Sequence, residues 1–158
     1  MAGAFRFGLA KVLEMREQRE QEMKRLLGEA LARLDEQQRQ LALLERTRDE
    51  YRDEVSRLQK GAVDVAMILT CLDFLDKVAT SITEQAERVV SAQEHVEEAR
   101  RRLVIASQEK KAIEKLRERH FEAWQKEQSR VETNALDEAS QQRFNRRAAA
   151  RDDAGGGP

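Results

Sequence analysis

Leu58-Gln59-Lys60-Gly61-Ala62-Val63-Asp64 separates two long runs of heptad-spaced apolar residues, and whether the chain turns there decides the fold. Gly61 is the only glycine between Gly28 and Gly155. A basic residue followed by glycine is a helix C-terminal signal. Three residues on, Asp64 is placed to cap a new helix, with Val63 and Ile68 spaced for a hydrophobic staple across it. The competing reading is one continuous helix, because Ala62, Val65, Leu69 and Leu72 keep the heptad phase. A single amphipathic helix of that length needs a partner chain, whereas a turn lets the chain partner itself. The sequence therefore predicts a hairpin that breaks at about residues 59–64.

Outward from the break, the first half reads Leu27, Ala30, Leu34, Gln37, Leu41, Leu44, Arg48, Tyr51, Val55 and Leu58 at alternating steps of three and four, the seam of a coiled coil. Going backward the seam passes Met23, weakens through Glu20 and Arg16, and recovers at Leu13 and Leu9. Opposite charges four apart (Glu20 with Lys24, Glu29 with Arg33, Asp35 with Arg39, Asp53 with Arg57) make its outer face soluble. Each pair contributes only about 0.2–0.5 kcal/mol. Beyond the break, an apolar run from Val65 to Leu75 leads into Val78, Ile82, Val89, Ala92, Val96, Ala99, Leu103, Ala106 and Ile113. Alanines at 92, 99 and 106 let two helices approach closely.

Composition excludes most other folds. Charged residues are 37% and aromatics 4% of 158, the single proline is the last residue, and mean hydropathy is -0.77. A β-sandwich or barrel needs β-branched and turn residues at short intervals, and they are missing. The fold class is all-α: an antiparallel two-helix coiled-coil hairpin with helix 1 over about 5–58, helix 2 over about 65–146, and a flexible tail at 151–158. With 29 basic against 30 acidic residues, a dedicated nucleic-acid binder is disfavoured. One cysteine, Cys71, excludes an intrachain disulfide and reads as a small buried hydrophobe. Arg6 and Lys11 interrupt the N-terminal apolar residues, so no signal peptide is expected. The run from Ala62 to Leu75 is too short to span a bilayer. A soluble cytoplasmic protein is the expectation.

Helix 1 would be about 80 Å long and helix 2 about 120 Å, at 1.5 Å per residue. Folded back at Gly61, helix 1 runs out opposite roughly residue 118. The overhang then carries Phe121, Trp124, Val131, Leu136 and Phe144 without an intrachain partner, and such residues mark a partner's landing place.

No catalytic constellation is present. There is no glycine-rich run before Lys-Ser/Thr to cradle phosphate, and no dinucleotide-binding turn. His95 and His120 are too far apart on one helix to share a metal or a proton relay. Glu97-Glu98 and Asp137-Glu138 are adjacent, about 100° apart around a helix, and read as a solvated face. Neither an enzyme nor a cofactor is expected. Arg143, Arg146, Arg147 and Arg151 form a basic cluster that suits either helix-dipole compensation or an acidic partner surface.

Four stretches carry a resemblance. Phe5-Arg-Phe-Gly-Leu-Ala-Lys-Val-Leu-Glu-Met-Arg16 resembles the N-terminal signature of the flagellar export protein family FliJ. Gln40-Leu-Ala-Leu-Leu-Glu-Arg-Thr-Arg-Asp-Glu-Tyr-Arg52, Glu109-Lys-Lys-Ala-Ile-Glu-Lys-Leu-Arg117 and Leu136-Asp-Glu-Ala-Ser-Gln-Gln-Arg143 agree with it in order and spacing. The resemblance implies a coiled-coil stalk, similar to that of rotary ATPases, in flagellar type III export. Its implied partners are the hexameric export ATPase FliI, the export gate protein FlhA and export chaperones. No nucleic acid and no direct lipid insertion are implied, and the stalk would sit at the cytoplasmic face of the inner membrane through the export apparatus. By the same resemblance, Phe5, Phe7, Leu9, Leu13, Lys115, Leu116, Asp137, Glu138 and Arg143 would meet the ATPase. Gln40, Leu44, Tyr51, Phe74 and Val78 would face the gate. Leu44 and Tyr51 also fit the seam as packing residues; Gln40 does not. The alternatives are the equivalent stalk of a virulence secretion system and a self-associating structural coiled coil.

Overall fold

A computed structural model describes residues 4–154, with side chains described to residue 150. Two α-helices make up the fold: α1, Ala10–Leu58, and α2, Val65–Ala154, with no strand among the described residues. They pack against each other as an antiparallel coiled-coil hairpin in which α2 is the longer, at 90 residues against 49.

The turn forms where the sequence breaks, with chemistry that differs in one respect. Asp64 caps α2: its Oδ1 accepts the Met67 backbone N–H at 3.1 Å, and its carbonyl accepts that of Ile68 at 3.1 Å. At the other end α1 closes through Gln59 N–H to the Val55 carbonyl and Lys60 N–H to the Arg57 carbonyl, both 3.1 Å. No described glycine has a positive φ, so Gly61 does not end the helix by a left-handed turn. The helix has stopped at Leu58, and Gly61 lies in the connection. Val63 is exposed, so a staple to Ile68 buries little of it. Asp64→Ala is expected to lower the thermal stability by about 1 kcal/mol, because an orphan donor at the start of α2 loses its acceptor. Circular dichroism melts measure it, and an unchanged midpoint would remove the cap from the account.

Both helix ends differ from the periodicity-based bounds. α1 begins at Ala10 rather than residue 5, leaving residues 4–9 outside the helix. At the far end the backbone of α2 stays helical to Ala154, beyond the expected 146 and into the expected tail, because nothing between Asn145 and Gly155 breaks a helix and Ala148 to Ala150 favour one. The rest of that tail, Gly155 to Pro158, lies outside the described residues.

Contacts divide the chain into residues 16–109, here the hairpin unit, and residues 1–15 with 110–158, the terminal unit. In the hairpin unit the buried seam is Met23 and Val55 on α1 against Cys71, Val78, Val89, Ala92, Val96 and Ala106 on α2. It is narrow, and Val96, at 2% exposure, is its most enclosed member. Cys71 is buried and free. Two polar residues share the seam. Gln85, 3% exposed, donates from Nε2 to the Gln37 carbonyl (3.0 Å) and to Gln37 Oε1 (2.9 Å). Glu20, 7% exposed, accepts from Ser107 Oγ (2.7 Å) and pairs with Lys24 (3.2 Å). Polar partners at fixed seam positions set the register of a coiled coil, since a slip strands each in apolar surroundings.

Of the four expected pairs, Asp35–Arg39 forms on the outer face, and Glu20–Lys24 forms with its carboxylate in the seam rather than on that face. Glu29 pairs with Arg25 instead of Arg33, and Arg57 pairs with Glu54 instead of Asp53.

Candidate functional site

The residues implied by the resemblance fall cleanly between the two units. Phe5 through Leu13 and Lys115 through Arg143 belong to the terminal unit, and Gln40 through Val78 to the hairpin unit.

In the terminal unit the non-helical residues 4–9 are anchored by aromatic contacts. The Phe5 ring meets Phe121 edge-on at 5.2 Å and Trp124 at 5.9 Å, and Phe121 stacks on Trp124 at 5.8 Å. Phe7 meets the His120 ring at 5.7 Å. Leu13 is buried, Leu116 half-buried, and Leu9 and Lys115 exposed. This corrects the expected overhang. Phe121 and Trp124 have an intrachain partner, because Phe5 pairs further along α2 than the residue 118 obtained by folding about Gly61. Asp137 begins about 20 Å beyond Trp124 along α2, thirteen residues at 1.5 Å each. The structure therefore does not bring Asp137, Glu138 and Arg143 together with Phe5 and Phe7 in one patch. From Ser129 to Ala150 every side chain of α2 is exposed, including Val131, Leu136 and Phe144, the last at 72%. Arg143, Arg146 and Arg147 share that stretch, and the Arg151 side chain lies outside the described residues.

The aromatic cluster gives a direct readout, because Trp124 is the only tryptophan. Phe5→Ala is expected to red-shift its emission and to cost about 1–2 kcal/mol locally, part of what a fully buried ring contributes. Fluorescence with hydrogen exchange over residues 4–15 measures both. An unchanged spectrum would mean that the ring does not cover Trp124.

In the hairpin unit Tyr51 and Phe74 face each other across the helices with ring centroids 4.3 Å apart, each a little over one-third exposed. On the same outer surface, the Asp73 carboxylate lies 2.8 Å from Lys77 Nζ and raises the lysine's pKa by hydrogen bonding. Leu44 is half-buried. Gln40 is exposed, its Nε2 donating to Glu36 at 2.9 Å. Val78, 5% exposed, is a correction: its side chain is consumed by the seam and offers a partner no surface while the helices stay paired. The same holds for Leu13.

Two features escaped the sequence reading. A seam traced by its apolar residues steps from Ile82 to Val89 over Gln85, which occupies the position between them. The apolar surface flanking the turn (Val63, Val65, Met67, Leu69, Leu72) is exposed, although the run it belongs to reads as core. Among the described residues no group of three or more acidic, histidine or cysteine side chains could hold a metal ion. No described helix is long and apolar enough to cross a membrane.

Comparison with known proteins gives two findings. A family model described as "Flagellar FliJ protein" matches residues 5–149. A solved structure titled as that of a putative YscO homolog, CT670 from Chlamydia trachomatis, has a similar fold, with a TM-score of 0.51 and 24% identity over 92% of this chain and 99% of that one. Among curated proteins, none matches significantly.

Proposed function

This chain belongs to the flagellar FliJ protein family, which makes it a coiled-coil protein of type III export, and we propose that within the apparatus it is a non-enzymatic stalk working between the export ATPase and the export gate. The observation that carries the reading is the bare stretch of α2 from Ser129 to Ala150, a helix with Val131, Leu136 and Phe144 exposed and no α1 residue packed on them. A lone helix with exposed apolar side chains gains stability by entering a partner that surrounds it, and a ring pore is a fitting receptor for one. The terminal unit would engage the hexameric ATPase FliI, with Phe5, Phe7, Leu9, Lys115, Leu116, Asp137, Glu138 and Arg143 as candidate contacts. Contacts that form asymmetrically within the ring would favour its assembly and sequential hydrolysis. The hairpin unit would face the gate protein FlhA through Gln40, Leu44, Tyr51 and Phe74. Leu13 and Val78 support these surfaces by packing beneath them. Export chaperones are further proposed partners, and the chain would be cytoplasmic, held at the inner membrane through the apparatus.

A self-associating filament with one continuous helix per chain is the reading that the break between Leu58 and Val65 speaks against. The family match favours the flagellar system over a virulence one. Photo-cross-linkers placed at Leu136 and at Tyr51 test the division of labour. The expected products are ATPase adducts from Leu136 and gate adducts from Tyr51. The reverse pattern, or none from Leu136, contradicts it.

A further inference from the structure

A polar groove of about 340 Å³ lies between α1 and α2 in the hairpin unit, lined by Arg33, Gln37 and Gln40 from α1 and by Arg88, Ser91 and His95 from α2. No carboxylate lines it. The acidic residues within one turn of Arg33 are already engaged: Glu29 by Arg25, Asp35 by Arg39, and Glu36 by the Gln40 amide. Arg33 is thereby left without an ionic partner, although a pair with Glu29 was the sequence expectation. Arg88 donates to Gln85 Oε1 at 3.4 Å; Glu84 and Glu87 flank it on α2, but neither bonds it or lines the groove. His95 Nδ1 lies 2.7 Å from the Ser91 carbonyl, which can only accept, so Nδ1 is the donor in that contact and ties the ring to its own helix. Gln85, which touches Arg88, is the amide locked to Gln37 in the seam. The groove floor is therefore fixed by a buried hydrogen-bonded pair.

We propose that this groove receives carboxylates from an acidic segment of a partner protein, with Arg33 and Arg88 as the paired anchors. A guanidinium binds a carboxylate through two parallel hydrogen bonds, and one from each helix makes a clamp for neighbouring acidic side chains. A free phosphate is the less suitable occupant. Phosphate sites draw on backbone N–H groups at helix N-termini or glycine turns, and mid-helix amides at residues 33–40 and 88–95 are spent on helical hydrogen bonds. The groove is open to solvent, so a protein segment can lie in it. The inference does not depend on which partner supplies the acid, nor on the stalk reading.

The test is an NMR titration of the full chain with a synthetic glutamate-rich octapeptide, with its glutamine counterpart and with inorganic phosphate as separate arms. The expected result is shift perturbation at Arg33, Gln40, Arg88 and His95 by the acidic peptide alone, weakening as salt is raised. Arg33→Gln with Arg88→Gln should weaken that binding about tenfold or more. Arg46→Gln, which removes a charge elsewhere on α1, should leave it unchanged, and thermal melts confirm that both variants are folded. Perturbations confined to Arg143, Arg146 and Arg147 would overturn the proposal. So would equal perturbation by phosphate, which would mean a small-anion site, or unchanged binding in the double variant.

Discussion

Replacing Val96 by aspartate is expected to lower the stability by about 3–5 kcal/mol, because it leaves a carboxylate unpaired in the seam. Val96 is 2% exposed, and it stands between Val89 and Ala92 on one side and Ala106 on the other. Water cannot reach the charge unless the helices part. Single domains have only about 5–15 kcal/mol in total, so a loss of this size removes much of the folded state's margin. Val90 is the control. It lies on the same helix, carries the same side chain and is 53% exposed. Val90→Asp should stay within about 0.5 kcal/mol of the parent. Denaturant melts followed at the helix band decide it, and similar losses for both variants would mean that the seam is not where burial places it.

Gln85→Glu is the second large effect, and it is pH-dependent. The Gln85 Nε2 group donates to two acceptors of Gln37, its carbonyl and Oε1. An ionised carboxylate in its place would put negative oxygen against both, in a site 3% exposed in the parent. The expected loss is about 3 kcal/mol near neutral pH. Desolvation and the two facing acceptors raise the introduced group's folded pKa above its unfolded value of about 4.3, and outweigh the opposing pull of Arg88, which reaches the outer Oε1 position only at 3.4 Å. The folded state then binds the proton more tightly than the unfolded state. Relative stability is therefore partly recovered below the unfolded pKa, where the protonated carboxyl can donate one hydrogen bond in place of the amide's two, and is lost as pH rises through the folded pKa. Melts of variant and parent from pH 4 to pH 8 measure the difference. A deficit independent of pH would place the cost in packing rather than in charge.

How far the sequence determines the fold can be argued residue by residue. Heptad spacing alone identifies Met23, Val55, Val89, Ala92, Val96 and Ala106, and Asp64 marks the start of α2, because a cap is a local matter of one side chain and one N–H. Gln85 is invisible to that reading. A glutamine looks polar until its partner across the hairpin is known, and Gln37 is 48 residues away. The Phe5 contacts are hidden from the sequence for a different reason. Folding the chain about Gly61 assumed helix from residue 5, and a shift of a few residues in register decides whether Phe5 reaches Phe121. Surface pairs were half right, since Glu29 can reach Arg25 or Arg33 at equal spacing and only side-chain placement chooses. For the site, the resemblance supplied residues but not their exposure. Gln40, Tyr51 and Phe74 present surface, whereas Leu13 and Val78 had already been claimed by the periodicity as seam and are buried.

The central claim, that this family member is a stalk acting on a ring, is tested most directly by titrating the purified chain into its cognate export ATPase and following ATP turnover. The account predicts no hydrolysis by the chain alone and a rise in turnover that is complete at about one chain per ring, with the rise lost when α2 is truncated before Ser129. Turnover that stays flat at every ratio, or that rises equally with the truncated chain, would contradict it.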